Sequence, residues 1–190
     1  MNQPTKEQLR STLRQRRRAL LPAAQSRAAS NIAQLTISLP QWARAQHIAL
    51  YHAADGEIST EKIAQLGRDQ GKHTYFPVIG ANKSMVFARW QAGEPLQPNA
   101  LGIPESMPGA ETYPATKLDI VFLPLLGWDQ NGGRLGMGGG YYDRAFAAAE
   151  GPTLIGLGHQ IQQVDEIPTD PWDISLELIV TDTGIYHRKK

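Results

Sequence analysis

The sequence predicts an α/β protein whose open, mostly parallel sheet is covered by helices on both faces, Rossmann-like in outline. First, short β-rich runs alternate with helical or loop segments along most of the chain. Second, the runs 120–126 and 178–180 are apolar at consecutive positions, as strands buried on both faces require. Third, 190 residues with 41% hydrophobic side chains can bury a full core without metal or disulfide bonds.

The N-terminal segment predicts a basic helix over residues 5–20 that packs on the α/β core. Its start is indicated by Thr5 followed three residues later by Gln, and Leu9 and Leu13 then fall on one face. A second helix is predicted over residues 23–38, because a proline at position 40 stops it.

The rest of the chain predicts six strands and two further helices. The strands are expected at residues 47–51, 74–78, 85–90, 120–126, 153–158 and 176–181. Helices at 59–71 and 139–150 would connect them in right-handed strand–helix–strand units. The run 85–90 alternates and is predicted to be an antiparallel edge strand, whereas the proline-rich segment 91–117 is predicted to be a long ordered loop over the sheet. We expect one domain over residues 1–190.

Composition excludes several classes of site. The chain has no cysteine, which excludes disulfides, a thiol nucleophile and thiolate metal sites. It has no His-Glu-x-x-His or Gly-x-Ser-x-Gly sequence, so hydrolytic zinc and serine chemistry lack support. The most apolar run, 120–126, is far shorter than the about 20 residues of a transmembrane helix. Because the basic N-terminus also lacks a secretory pattern, we expect a cytoplasmic protein that does not span a membrane.

Charge is concentrated towards the two ends of the chain. Residues 1–30 carry seven Lys and Arg against Glu7 alone, whereas residues 145–187 carry seven acidic side chains and no Lys or Arg. This distribution suits a phosphorylated ligand with its divalent cation, or an attraction between two ends of the protein.

The most informative segment is 131–144, Asn-Gly-Gly-Arg-Leu-Gly-Met-Gly-Gly-Gly-Tyr-Tyr-Asp-Arg, which lies between a buried strand and a predicted helix. Six glycines in ten residues let backbone N–H groups converge, and the helix N-terminus adds positive charge, which favours a nucleotide phosphate. The segment is no Walker-type loop, because Gly-Lys-Ser/Thr is missing, and no dinucleotide fingerprint, because Tyr141 stands where Gly is needed. The alternative is a turn that only reverses the chain.

Charged side chains elsewhere could complete such a phosphate site. Lys6, Arg10 and Arg14 occupy one arc of the first helix, where they either face a cleft or form a solvated face. Asp143 could hold Mg²⁺ on the phosphates, or act as a helix N-cap instead. Asp173, in the acidic segment, could supply a second oxygen ligand.

The string Gly-Arg-Leu-Gly-x-Gly-Gly-Gly-Tyr-Tyr-Asp-Arg at 133–144 resembles the signature of the 5-formyltetrahydrofolate cyclo-ligase, or methenyltetrahydrofolate synthetase, family. Further matching pieces, in the family's order, are Lys6-x-x-x-Arg10, Tyr51 through Gly56-Glu57-Ile58 with Thr60, Gly102-Ile103-Pro104-Glu105, Leu118-Asp119 before Pro124, Gln160, Ile167-Pro168, Asp173 and Thr181-Asp182. The chain departs from the family pattern at Ser59, Trp128 and Met137.

The resemblance implies ATP-dependent cyclisation of 5-formyltetrahydrofolate to 5,10-methenyltetrahydrofolate, with release of ADP and phosphate, through phosphorylation of the formyl oxygen. It implies ATP as co-substrate and Mg²⁺ as cofactor. The implied ATP contacts are Lys6, Arg10, Arg134, Leu135, Gly136, Met137, Gly138, Gly139, Gly140, Tyr141 and Tyr142, with Arg134 and Tyr142 as catalytic candidates. The implied folate contacts are His52, Glu57, Met137, Gly138, Gly139, Gly140 and Tyr141, and the implied magnesium ligands are Asp143 and Asp173. Phe87, Trp90 and Trp128 either flank the pterin or belong to the core.

Two other functions remain open at this level. One is a non-catalytic relative of the family that binds RNA through the arginine cluster at 14–18, and the other is a sugar-phosphate enzyme of related architecture. RNA-binding proteins normally add exposed aromatic side chains to a basic surface, and the first helix has none. We therefore expect no nucleic acid partner, and we expect a monomer.

Overall fold

The structure, a computed structural model, describes residues 4–147 and 151–189 and is built around an eight-stranded sheet. The strands are His47–Ala49 (β1), His73–Ile79 (β2), Met85–Arg89 (β3), Leu96–Pro98 (β4), Pro104–Ser106 (β5), Thr112–Tyr113 (β6), Ile120–Pro124 (β7), Gly127–Trp128 (β8), Arg134–Leu135 (β9), Thr153–Gly158 (β10), Leu178–Thr181 (β11) and Gly184–His187 (β12). The large sheet has the order β12, β11, β10, β7, β1, β2, β3, β6, and β4–β5 and β8–β9 form separate antiparallel pairs.

The five inner strands from β11 to β2 are parallel, which confirms the predicted mostly parallel sheet. Strand β12 at one edge and strands β3 and β6 at the other are antiparallel. Strand β7 lies in the middle and all but its last residue are buried, because its side chains are apolar on both faces.

The α-helices are Lys6–Arg18 (α1), Pro22–Ile37 (α2), Pro40–Arg44 (α3), Glu61–Asp69 (α4) and Tyr141–Ala145 (α5), with short 3-10 turns at Ala81–Lys83, Ala115–Lys117 and Gln160–Gln162. Helices α2 and α3 each begin with proline, whose fixed φ and missing N–H suit the first helical turn. Within the described part of the chain, no helix is long and apolar enough to cross a membrane.

Helices α2, α3 and α4 cover one face of the sheet with a core that includes Ile32, Trp42 and Ile63 against Ile48 and Phe122. The opposite face has a second core, and there α5 and the segments around it cover the strands. Helices therefore lie on both faces of the sheet, although α5, the helix on the second face, is short.

Helix α1 packs across the ends of the sheet rather than on either face. Its start is as predicted, because Thr5 and Gln8 form a reciprocal capping box. Leu9 and Leu13 form a third small core with Leu126, Leu135 and Ile167. The approach is so close that a Cβ on the glycine that opens β8 would lie 2.5 Å from a Leu13 methyl carbon.

Three element predictions were wrong. The helix predicted over 139–150 ends at Ala145, because Phe146 turns out of the helical conformation into the second core; residues 148–150 lie outside the described residues. The segment 91–117 contains β4, β5 and β6 instead of a plain loop, since strands of two or three residues are too short to show alternation. Strand β3 is antiparallel as predicted but not at the edge, because β6 pairs outside it.

Candidate active site

A large cavity lies at the carboxyl ends of β1 and β7. From β1 the chain continues to β2 on one side, whereas β7 is followed by β10 and β11 on the other. Such a change of direction opens a crevice where α/β sheets bind their ligands. The cavity has a volume of about 1050 Å³, slightly above the roughly 300–1,000 Å³ typical of ligand pockets, so it has room for more than one ligand.

The structure brings the implied ATP, folate and magnesium contacts to this one cavity, with the three candidate pterin-flanking aromatic residues as the exception. The lining includes Lys6, Arg10, His52, Glu57, Arg134, Leu135, Gly136, Met137, Gly138, Gly139, Gly140, Tyr141, Tyr142, Asp143 and Asp173. Tyr51, Asp170 and Trp172 also line it and were not among the predicted site residues. Trp172 is 69% exposed, and an aromatic residue between two aspartates is the signal that could have found it.

The glycine-rich loop is tied to helix α1 by Arg10. The Nε of Arg10 donates to the carbonyl oxygen of Gly136 at 3.0 Å. Gly138 has φ +93°, and a Cβ there would lie 3.5 Å from the Arg10 guanidinium carbon. Gly140 has φ +66° and precedes α5. These left-handed conformations need glycine, and they set a guanidinium directly beside the exposed loop backbone.

Arg134 and Asp143 form an ion pair at the base of the loop. The Nη2 of Arg134 donates to Oδ1 of Asp143, which also accepts from the backbone N–H of Ile174 at 3.1 Å. The Arg134 side chain is 6% exposed, and its Nε is buried without a hydrogen-bond partner in the described part of the chain. The N-cap alternative for Asp143 was wrong, because Gly140 occupies that position.

Lys6 lies between two carboxylates of the acidic segment. Its Nζ is 2.5 Å from Asp170 Oδ2 and 2.6 Å from Asp173 Oδ2. Burial by itself lowers the pKa of Lys6, but the bonds to both aspartates outweigh it and leave the pKa raised. Lys6 is therefore a fixed ammonium at the cavity wall, and the alternative of a freely solvated basic face was wrong.

Arg14, Arg17 and Arg18 converge on Asp55, in the loop that follows β1. The Asp55 carboxylate is 2.7 Å from Arg14 Nε, 2.8 Å from Arg17 Nη2 and 2.5 Å from Arg18 Nε. Arg17 is fully buried, and its Nη1 also donates to the carbonyl oxygen of Leu125 at 3.4 Å. Burial alone would raise the pKa of Asp55, but the three guanidiniums lower it to about 2. One acidic residue thus fixes the end of α1 to the β1 loop.

The same loop carries Glu57 into the cavity. Glu57 Oε2 accepts from the backbone N–H of Ala54 at 3.0 Å, and Oε1 is 3.8 Å from Arg17 Nη1. Burial raises the pKa of Glu57, and these two contacts offset only part of the effect. Glu57 is thus a preoriented acceptor in a poorly solvated position.

His52 packs against aromatic rings beside Glu57. Its ring stacks on Phe76 with centroids 4.3 Å apart and meets the edge of Trp90 at 5.5 Å. Burial lowers the pKa of His52, so the ring is neutral, and its Nε2 has no partner within the described residues.

The three aromatic residues proposed to flank a pterin do not line this cavity. Phe87 and Trp128 are fully buried in the second core, so they are core residues and do not flank a pterin. Trp90 does not line this cavity itself, but its ring contacts His52, which does. Burial of these rings depends on which strands meet, and a single sequence does not contain that information.

Two carboxylates at the cavity fit a hard divalent cation. Asp143 accepts its hydrogen bonds at Oδ1 and Asp173 accepts its hydrogen bonds at Oδ2, so within the described chain each carboxylate keeps an oxygen without a hydrogen bond. The described residues contain no cluster of three or more His, Asp or Glu side chains that could hold a metal by itself. Mg²⁺ is commonly held by one or two carboxylates together with substrate phosphates, and this donor set suits that arrangement.

Known proteins resemble the chain over nearly its whole length. Residues 2–182 match the model of the 5-formyltetrahydrofolate cyclo-ligase family. The chain is 36% identical over 181 residues to a 5-formyltetrahydrofolate cyclo-ligase of Haemophilus influenzae, covering 93% of this chain and 97% of the relative. It is 31% identical over 179 residues to that of Escherichia coli K12, covering 92% and 98%.

Solved structures share the fold. A 5,10-methenyltetrahydrofolate synthetase of Mycoplasma pneumoniae superposes with a TM-score of 0.77 at 24% identity, covering 93% of this chain and 98% of that one. The NMR structure of the Aquifex aeolicus 5,10-methenyltetrahydrofolate synthetase gives a TM-score of 0.83 at 24% identity, covering 97% and 93%.

Proposed function

The chain belongs to the 5-formyltetrahydrofolate cyclo-ligase family, and on that basis we propose that it converts 5-formyltetrahydrofolate and ATP into 5,10-methenyltetrahydrofolate, ADP and phosphate. The observation that carries the proposal is that the implied ATP, folate and magnesium contacts line one cavity at the switch point of the sheet. The formyl oxygen attacks the γ-phosphorus and ADP leaves. N10 then adds to the activated carbon and loses its proton, and phosphate departs as the methenyl bridge forms.

This reaction needs no nucleophile from the protein, so the chain's residues bind, align and stabilise charge. Lys6 and Arg10 on α1 and Arg134 on β9 supply three cations around the glycine loop. The buried Nε of Arg134 has no protein partner in the described chain, and a phosphate oxygen would satisfy it. Backbone N–H groups of the loop add donors, and the hydroxyl of Tyr142 keeps its proton because burial raises its pKa.

Asp143 and Asp173 are the residues that would hold Mg²⁺. When bound, the ion would neutralise charge on the phosphates during transfer. Each carboxylate is now balanced by a protein cation, Arg134 for Asp143 and Lys6 for Asp173. With Mg²⁺ bound to the two carboxylates, the side chains of Arg134 and Lys6 would be free to bind the phosphates.

Glu57 and His52 would contact the folate. Glu57 is an acceptor held by Ala54 and Arg17, and the pterin ring carries N–H groups that can donate to it. His52 is neutral, and its Nε2, which no residue of the described chain bonds, lies beside two aromatic rings. Met137 through Tyr141 would contact both ligands, because the formyl oxygen must meet the γ-phosphate beside this loop.

The two other functions receive no support. An RNA-binding helix would present its cations to solvent, but Arg14, Arg17 and Arg18 are bound to one aspartate. A sugar-phosphate enzyme would share the fold, but the family match extends over residues 2–182. The expected monomer and the expected cytoplasmic location stay predictions.

The test is turnover of 5-formyltetrahydrofolate by the purified protein with ATP and Mg²⁺. We expect the near-ultraviolet absorbance band of the methenyl product to grow only when all three are present, with one ADP released per product. Reactions without ATP, or with a chelator in excess over Mg²⁺, are the controls. Product formation without ATP would overturn the mechanism, and no product in the complete mixture would overturn the proposed function.

A further inference from the structure

The hydroxyl of Tyr51 is a buried polar atom that no residue of the described chain satisfies. The residue is 3% exposed and is one of the residues that line the large cavity. An unpaired buried hydroxyl costs about 1–3 kcal/mol, so proteins keep few of them. A group of this kind that faces a binding cavity indicates a ligand atom as its missing partner.

The position of the Tyr51 ring is fixed from both sides. Its backbone carbonyl accepts from Thr60 Oγ1 at 2.7 Å, which ties the β1 loop to the start of α4. The ring itself belongs to the first hydrophobic core. The ring therefore cannot move the hydroxyl to a protein partner without disturbing that core, so the position of the hydroxyl is fixed.

The surroundings of Tyr51 determine the polarity of the missing partner. Burial and, after it, the negative charge of Glu57 raise the pKa of Tyr51 well above its ordinary value, and the nearby phenol of Tyr142 acts in the same direction. Tyr51 therefore keeps its proton and can donate. Glu57 has no proton to give when it is ionised, so it can only accept. Tyr51 and Glu57 both line the cavity, so its wall offers one donor and one acceptor.

We propose that the Tyr51 hydroxyl donates a hydrogen bond to the ring carbonyl oxygen of the folate, beside the ring N–H that Glu57 accepts. This inference rests on the proposed function, because it assigns a contact to that substrate. The pterin of 5-formyltetrahydrofolate carries a carbonyl oxygen next to an N–H on one edge of the ring. A fixed donor next to a fixed acceptor matches such an edge and would reject a ring with the opposite pattern.

The test is Tyr51→Phe, which removes only the hydroxyl. We expect the dissociation constant of 5-formyltetrahydrofolate, measured by calorimetry without ATP, to rise about 5- to 10-fold, a hydrogen bond's contribution. We expect KM for the folate to rise in parallel with kcat unchanged, because a contact to a non-reacting oxygen is made equally in both states. The melting temperature of the free protein should stay the same or rise, because an unpaired polar atom has been removed.

Tyr75→Phe is the matched control. Tyr75 is 4% exposed, but its hydroxyl bonds His47 Nδ1 at 2.9 Å and it does not line the cavity. We expect the opposite result there, a lower melting temperature with unchanged folate binding.

Four outcomes are distinguishable. Unchanged folate affinity in Tyr51→Phe would overturn the contact, and so would a fall in melting temperature, which would show that the hydroxyl already has a partner in the free protein. A loss of kcat with unchanged KM would also overturn it, since it would move the contact to the reacting formyl oxygen. If the unmodified protein makes no product, the proposed function itself has failed, whatever the variant does.

Discussion

Asp55→Asn tests whether the junction between α1 and the β1 loop stabilises the protein. Asp55 binds three guanidiniums, and it does so from a left-handed backbone conformation with φ +53°. Asn tolerates that conformation as well as Asp does, and it has nearly the same size. The substitution therefore removes the charge and leaves the backbone requirement satisfied.

The expected loss follows from the pKa of this carboxyl. The pKa falls from the ordinary 3.8 to about 2 in the folded protein. At about 1.36 kcal/mol for each tenfold change in proton affinity, the charge contributes on the order of 2 kcal/mol to folding. Asp55 is 18% exposed, so screening removes only part of this, although Arg14 and Arg18 are about half exposed.

The sign of the pH dependence is determined by the lowered pKa. The stabilisation by Asp55 is fully present above pH 4 and is lost as the pH falls from about 4 towards 2, where the folded protein also takes up the proton. Urea unfolding at pH 7 should show Asp55→Asn about 2 kcal/mol less stable. The difference between the two proteins should shrink between pH 4 and pH 3.

A loss of function should accompany the loss of stability. The β1 loop also carries Glu57, so we expect KM for 5-formyltetrahydrofolate to rise in Asp55→Asn while KM for ATP changes little. Equal unfolding free energies at pH 7, or a difference between the proteins that stays constant down to pH 3, would refute the reasoning.

Three further substitutions test the nucleotide side. Lys6→Ala should raise KM for ATP about 10- to 100-fold, from the 1.5–3 kcal/mol of a charged hydrogen bond, and leave folate binding nearly intact, whereas the exposed Lys117→Ala should match the original protein. Unchanged ATP kinetics would show that Lys6 forms a structural ion pair and does not bind ATP. Asp143→Asn should fold, lower kcat and need much more Mg²⁺ for half-maximal rate; superimposable Mg²⁺ curves would remove it from the metal site. Gly138→Ala should raise KM for ATP, because the loop backbone must change to accept a side chain at φ +93°. The control is Gly93→Ala, which has the same φ but open space around it and should lower only the stability of the protein. Equal ATP kinetics in the two variants would show that the loop backbone does not contact ATP.

The sequence by itself determined the local features of this protein. The start of α1 at Thr5, the buried strand β7 and the glycine-rich loop were all predictable, because capping, apolar runs and backbone freedom depend on neighbours in the chain. The family resemblance added the residues that the structure then brings to one cavity. The antiparallel pairing of β3 was also predictable, since its residues alternate.

Only the tertiary structure decided which partner each charged or aromatic side chain has. Arg17 and Asp55 are 38 residues apart, and nothing local marks Arg17 as the buried member of an arginine-rich helix. Phe87 and Trp128 became core residues rather than ligand contacts because of the strands that surround them. The Tyr51 hydroxyl has no partner among the described residues for the same reason. Burial and pairing depend on contacts between segments that are distant in the chain, and the neighbours of a residue in the sequence do not show which distant segment it will contact.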